Sequence, residues 1–178
     1  MKPNYAMQRS SLIADLRARK QPVPPLSDLI AKLHAVGISV PPGRLRTDAY
    51  GDSPDLSREL IELIRTGPKR AGTGLLWAYE AESEELPQAG DIEIVVDHEY
   101  EPVLVTRIKR VEVVPFNEVT AEYAAIEGEG DGSLAYWREG HWRFFSRECA
   151  RIGREPRHDM PVVCTVFELV ASVPLIAA

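Results

Sequence analysis

Two short stretches of the chain hold residue types that can do chemistry at close quarters. The first, "GPKRAGTGLLW" (Gly67 to Trp77), sets Lys69 and Arg70 among three glycines. Backbone amides of such a turn can cradle an anion, with the two side chains adding charge. A phosphate-binding P-loop is excluded, because helix precedes strand and the Gly-Lys-Ser/Thr ending is missing. The second, "AIEGEGDGSLAYW" (Ala125 to Trp137), alternates Glu127, Glu129 and Asp131 with glycine before an apolar run. Like charges so spaced repel, and each glycine adds chain entropy that folding must overcome. A solvated acidic loop is the simplest account. An EF-hand count starting at Glu127 puts acids at positions one, three and five and Gly132 at six. It then fails at position twelve, where Arg138 stands in place of a bidentate glutamate. No metal ligand set is assigned.

The elements around these stretches decide whether they meet. Ser53, Pro54 and Asp55 form a helix start, Leu56, Leu60, Leu63 and Ile64 one apolar stripe, and Gly67 a stop. The runs "TGLLWAY", "DIEIVVD", "PVLVTRIKRVEVVPF" and "PVVCTVFELVAS" are rich in β-branched and aromatic residues and read as strands. A helix from about Ser133 to Ile152 interrupts them, with Leu134, Trp137, His141, Phe145 and Ile152 as its stripe. These elements predict an α+β domain, a small, mainly antiparallel β-barrel with flanking helices. Trp77, Tyr136, Trp137 and Trp142 could stack on a base, although core packing is their commoner fate. His141, four residues after Trp137, reads as a hydrogen-bonded core histidine.

Residues 1–47 read as a helical extension and linker, and residues 48–178 as the main domain. Leu12, Ile13 and Leu16 suggest one short helix, and Leu26, Leu29, Ile30, Leu33 and Val36 a second, ending at Gly37. "SVPPGRLRTDAYG" has the composition of a linker. With 44% hydrophobic and 27% charged residues, wholesale disorder is excluded. The start lacks the apolar core of a signal peptide, and no run is long enough to span a bilayer. Cys149 and Cys164 lack metal spacing and read as reduced core thiols, so a cytoplasmic protein without membrane contact is expected. Residues 1–70 carry 12 Lys/Arg against 7 Asp/Glu, and residues 71–178 carry 9 against 20. Such asymmetry suits a basic face for an anionic partner, or scattered solvated charge.

"GDSPDLSRELIELIRTGPKRAGTGLLWAYE", followed by "VVPFNEVTAEYAAIEGEGDGSLAYWREGHWRFFSRE" and the closing strand, resembles the ASCH domain, a PUA-like β-barrel family, over about residues 48–170. The resemblance implies a cleft in which the Gly-Lys turn faces the acidic loop. It also implies RNA or a modified nucleoside as ligand, without a cofactor. Some relatives are amidohydrolases for N4-acetylcytidine, and others are linked to single-strand ribonuclease activity. Their working residues are a Lys, a Thr and a Glu. Lys69 and Glu127 match the first and last, whereas the Thr position holds Gly72, with Thr73 one residue on. A one-residue shift in a strand turns a side chain to the opposite face, so Thr73 is not expected to replace the missing Thr. Hydrolysis, simple binding and a non-catalytic role as an interaction module, with a protein partner on the N-terminal helices, stay open here.

On this reading Lys69 and Glu127 form the reacting pair, within hydrogen-bond reach across the cleft. Lys69 stays protonated beside carboxylates and stabilises negative charge, and Glu127 is the better base. Arg70, Thr73, Trp77, Glu129, Asp131, Ser133 and Trp137 are the expected ligand contacts. The glycines let the backbone approach the ligand. The acids disfavour a phosphate and favour a nucleobase.

Overall fold

A computed structural model describes residues 24–51 and 53–174, so the expected helix around Leu12 to Leu16 lies outside the described residues. Its helices are α1 (Leu26–Ala35), α2 (Pro54–Thr66), α3 (Leu76–Glu82), α4 (Ala121–Glu127) and α5 (Leu134–Arg151). The strands are β1 (Leu45–Ala49), β2 (Ala71–Leu75), β3 (Ile92–Val96), β4 (Pro102–Pro115) and β5 (Pro161–Ser172). They form one sheet in the order β1-β3-β4-β5-β2. The β1–β3 pair is parallel and the other three are antiparallel. The sheet curls into a half-barrel with helices around it, the expected α+β class.

Period-two alternation lets β3 serve two cores at once. Ile92, Ile94 and Val96 join Leu29 and Leu33 of α1 in one apolar cluster. Val95 faces the other, with Leu60 and Ile64 of α2 and Phe144 and Phe145 of α5. The apolar face of α1 is therefore covered by the sheet. The boundary expected between residues 47 and 48 falls inside β1, whose Leu45–Ala49 pair with Ile92–Val96. The "linker" contains this edge strand, which sequence composition concealed behind Pro41, Pro42 and Gly43.

The other departure is at "TGLLWAY". Strand geometry ends at Leu75, and Leu76–Glu82 coil into α3. Leu, Ala and Glu in that stretch are good helix formers. Gly74 lets the ring of Tyr79 fold back onto the strand, since a Cβ there would lie 2.7 Å from Tyr79 Cε2.

Three helix ends position the site. Ser53 caps α2 by accepting from Leu56 N at 3.3 Å, and Gly67, with φ of 89°, closes the helix by donating to Leu63 O. This hands the chain directly to Lys69. Thr120 caps α4 and Ser133 caps α5, each accepting from an amide three residues on. Glu127, the last residue of α4, and the inner face of α5 are thereby fixed around one point. Among the described residues no helix is long and apolar enough to cross a membrane.

Candidate functional site

Lys69 and Glu127 meet, as the motif predicts, but in the protein interior rather than across an open cleft. Neither has any exposed surface, and Lys69 Nζ lies 3.6 Å from Glu127 Oε1. The ammonium also donates to Glu129 Oε1 at 2.5 Å and to Ala71 O at 2.9 Å, and it stands 5.4 Å from the Tyr50 ring centre. One lysine thus bridges two buried carboxylates.

Glu127 is held by donors from two elements, α5 and β2. Trp137 Nε1 donates to its Oε2 at 2.6 Å, and the Thr73 hydroxyl donates to the same oxygen at 2.8 Å. His141 Nε2 lies 3.4 Å from Oε1. His141 Nδ1 is 2.8 Å from the Trp137 carbonyl, which can only accept, so Nδ1 carries a proton. The imidazole stacks on the Trp137 ring at 4.1 Å between centres. Burial alone would raise the Glu127 pKa. The charges of His141 and Lys69, with hydrogen bonds from His141 and Trp137, overcome it and hold the carboxyl well below its ordinary 4.5.

Glu129 has the opposite balance. Burial raises its pKa, and the Glu127 charge adds to that effect, outweighing Lys69. Its Oε2 is buried and has no hydrogen-bond partner. The two glutamates therefore differ in state: Glu127 is a firm carboxylate, whereas Glu129 is the carboxyl that takes up a proton first. Environments that separate the pKa values of neighbouring acids are a recurrent feature of functional sites.

Thr73 corrects the expectation set by its offset from the motif position. Its hydroxyl reaches Glu127 and lies 3.1 Å from the Tyr123 hydroxyl, which donates to Gly72 O at 2.7 Å. Thr73 is the third residue of β2, and its side chain turns toward Glu127 and Tyr123. Tyr123 and His141 are the members of the cluster that sequence reasoning left out of it. Their signals were present: Tyr123 sits in the α4 phrase, and His141 stands one helical turn after Trp137.

The remaining expected contacts are engaged within the protein. Arg70 donates to the carbonyls of Ile64 and Lys69, both at 2.7 Å, closing the end of α2. Asp131 is exposed and accepts from Ser133 N at 2.9 Å; hydrogen bonding from Ser133 lowers its pKa. Ser133 caps α5 through Tyr136 N at 3.1 Å. Trp137 is buried between Phe116 and His141, so it orients Glu127 rather than offering a stacking face. Trp77 lies under Arg154, whose guanidinium is 4.7 Å from the ring centre. Cys164 pairs with Thr73 across the β2–β5 register, and burial with the nearby Glu127 charge pushes its thiol up to about 12, so it is inert at neutral pH.

The glycines of the acidic loop also find a different reason. A Cβ on Gly128 would stand 2.6 Å from Pro68 O and 2.7 Å from Pro68 C, and one on Gly130 would enter the Tyr136 ring. Gly128 and Gly130 are thus required where the loop packs against the lysine turn and α5. Arg70 N donates to Ile126 O at 2.9 Å, tying the same two segments. Gly128→Ala is expected to destabilise the protein by about 2–3 kcal/mol, combining left-handed strain at φ 65° with overpacking. Urea unfolding measures this directly; a loss under 0.5 kcal/mol would show that the two segments part easily.

A cavity of about 360 Å³ approaches the cluster from outside, lined by Arg110, Glu118, Glu122, Tyr123 and Cys164 among others. Tyr123 lines it and also lies within hydrogen-bond distance of Thr73. The cavity therefore stops one side chain short of Glu127.

Comparisons with known proteins agree with this fold. The family model of the ASCH domain matches residues 46–171. The ASCH domain from Lactobacillus crispatus JV V101 superposes with a TM-score of 0.68 at 36% identity, covering 71% of this chain and 80% of that one. A protein from Enterococcus faecalis V583 gives 0.66 at 31% identity, covering 82% and 90%. No curated protein matches the chain. The family match and the shared half-barrel show that this chain belongs to the ASCH domain family, with a PUA-like fold.

Proposed function

We propose that the protein binds RNA or a modified nucleoside, with the base edge meeting the Lys69–Glu129 end of the buried cluster. The observation that carries this reading is Glu129 Oε2, a buried oxygen without a partner beside a lysine and a second carboxylate. Leaving such a group unpaired costs about 1–3 kcal/mol, which a ligand donor or acceptor would recover. A carboxyl with a raised pKa can present either a proton or a lone pair, as base edges do. Two carboxylates around one ammonium disfavour phosphate at this point. A ligand must displace Tyr123 or the loop at Gly130, so binding is coupled to a local opening.

The test titrates the protein with acylated and unmodified nucleosides and with labelled single-stranded RNA. Glu129→Gln is expected to weaken binding at least tenfold while leaving the melting temperature unchanged or higher, because it relieves a buried like-charge pair. Unchanged binding would overturn the reading.

The contact of Thr73 with Glu127 favours a second reading, hydrolysis of an acylated nucleoside. A hydroxyl, a carboxylate acceptor at 2.8 Å and a nearby ammonium supply a nucleophile, its base and a stabiliser of developing negative charge. Incubation with N4-acetylcytidine, followed by chromatography, tests it. Thr73→Ala is expected to remove turnover by a factor on the order of 10³ and Thr73→Ser to retain much of it. Equal turnover in Thr73→Ala and wild type would exclude the hydroxyl from the reaction.

A further inference from the structure

The outer face of α5 carries a second constellation, on the side of the helix away from Trp137 and His141. A groove of about 450 Å³ runs between α5, the 3₁₀ turn Phe116–Glu118 and the segment at His158. Its centre is aromatic: exposed His158 stacks on half-buried Trp142 at 4.5 Å, with ring planes 18° apart. Arg138 and Arg143 flank it, both exposed. Arg138 gives one donor to Asn117 O at 3.1 Å. Arg143 leans on Glu139 at 3.4 Å, the acid that also lines the groove, and Arg157 nearby is paired with Asp159. The local balance is positive in a chain whose net charge is −6.

We propose that this groove is a nucleotide subsite, taking the base against the Trp142–His158 pair and the phosphate between Arg138 and Arg143. A planar π-face with two guanidinium groups at its rim fits a ligand that is both flat and anionic, which nucleotides are. Base–aromatic stacking tolerates any base, and arginine adds paired hydrogen bonds to phosphate. The volume falls within the range of small-ligand sites. The proposal goes beyond the reading of the Lys69 cluster and does not depend on it: the cluster disfavours phosphate, whereas this groove requires it.

The test compares uridine, uridine monophosphate and a labelled six-nucleotide single-stranded RNA by calorimetry and fluorescence polarisation. Binding of the monophosphate at least tenfold tighter than the nucleoside is expected. Arg138→Ala/Arg143→Ala, two exposed changes whose folding a melt confirms, should abolish that difference and lower the salt slope of RNA binding by about one per lost phosphate contact. His158→Ala should weaken all phosphorylated ligands severalfold. If the monophosphate matches the strand, the site serves free nucleotides; if the strand binds more tightly than the monophosphate, it serves a nucleotide within RNA. The cluster reading fails on the Trp137 indole signal and this one on the phosphate-dependent difference in affinity, so the two failures are distinguishable. Equal affinity for nucleoside and nucleotide, no binding of any of the three, or wild-type behaviour of the double variant would overturn it.

Discussion

Lys69→Met is expected to destabilise the protein by about 3–5 kcal/mol, the usual consequence of removing one partner from a buried ionic group. Methionine fills much of the lysine stem, so the loss is electrostatic rather than volumetric. Without the ammonium, Glu127 and Glu129 face each other in the interior, and the Ala71 carbonyl loses its 2.9 Å donor. Glu129, already raised above its ordinary pKa, is pushed further up and takes a proton. The double variant Lys69→Met/Glu129→Gln should recover part of the loss, and it keeps the prediction measurable if the single variant does not fold. Urea unfolding at pH 7 distinguishes this from a pair of solvated surface charges, for which each change would cost under 1 kcal/mol.

Glu127→Gln is expected to be comparably costly and to change the pH dependence of stability with a definite sign. The substitution keeps size but not chemistry. Trp137 and Thr73 present donors to Oε2 and Lys69 presents one to Oε1, so an amide NH2 on either side meets a donor. The folded-state pKa of Glu127 lies below the ordinary 4.5. Its contribution to stability is therefore complete above pH 4.5 and is lost as pH falls below it. Glu129 has a raised pKa, so its contribution is complete below pH 4.5 and is lost as pH rises through its folded value. Glu127→Gln should flatten the acid limb of the stability profile and, by removing a charge that raises Glu129, weaken the alkaline limb; Glu129→Gln should flatten the alkaline limb and leave the acid limb. Denaturation midpoints across pH 3 to 8 read both slopes. An unchanged acid limb in Glu127→Gln would show that its charge is not what the interior holds.

Much of this site was legible because its parts are short and local. A helix stop followed by Lys69, and an acid–glycine run before a capped helix, are patterns along the chain, and the family resemblance joined them. The inward turn of Glu129 and outward turn of Asp131 were not legible, since both follow from Gly130 and Gly132 adopting positive φ. Nor was the burial of Lys69, because a lysine beside an arginine in a turn ordinarily lies in water. The offset of Thr73 misled because its face in β2 is set by where the strand starts, which the spacing from Lys69 does not reveal. His141 was read as a core histidine and is one, yet it also bears on Glu127, a dual role that helical spacing alone cannot reveal. β1 was hidden because its pairing with β3 is parallel and depends on partners some 47 residues away.

The central claim, that a ligand enters the Lys69–Glu127–Glu129 cluster, is tested most directly by the indole resonances of the three tryptophans. Trp137 Nε1–H donates to Glu127 and is buried with it, whereas Trp77 packs under Arg154. During titration with a modified nucleoside, the Trp137 indole signal should move saturably and its exchange with solvent should change, while the Trp77 signal stays fixed. A nucleoside that saturates the protein without moving the Trp137 signal, or no binding at millimolar concentration across the nucleoside and RNA panel, would contradict the account.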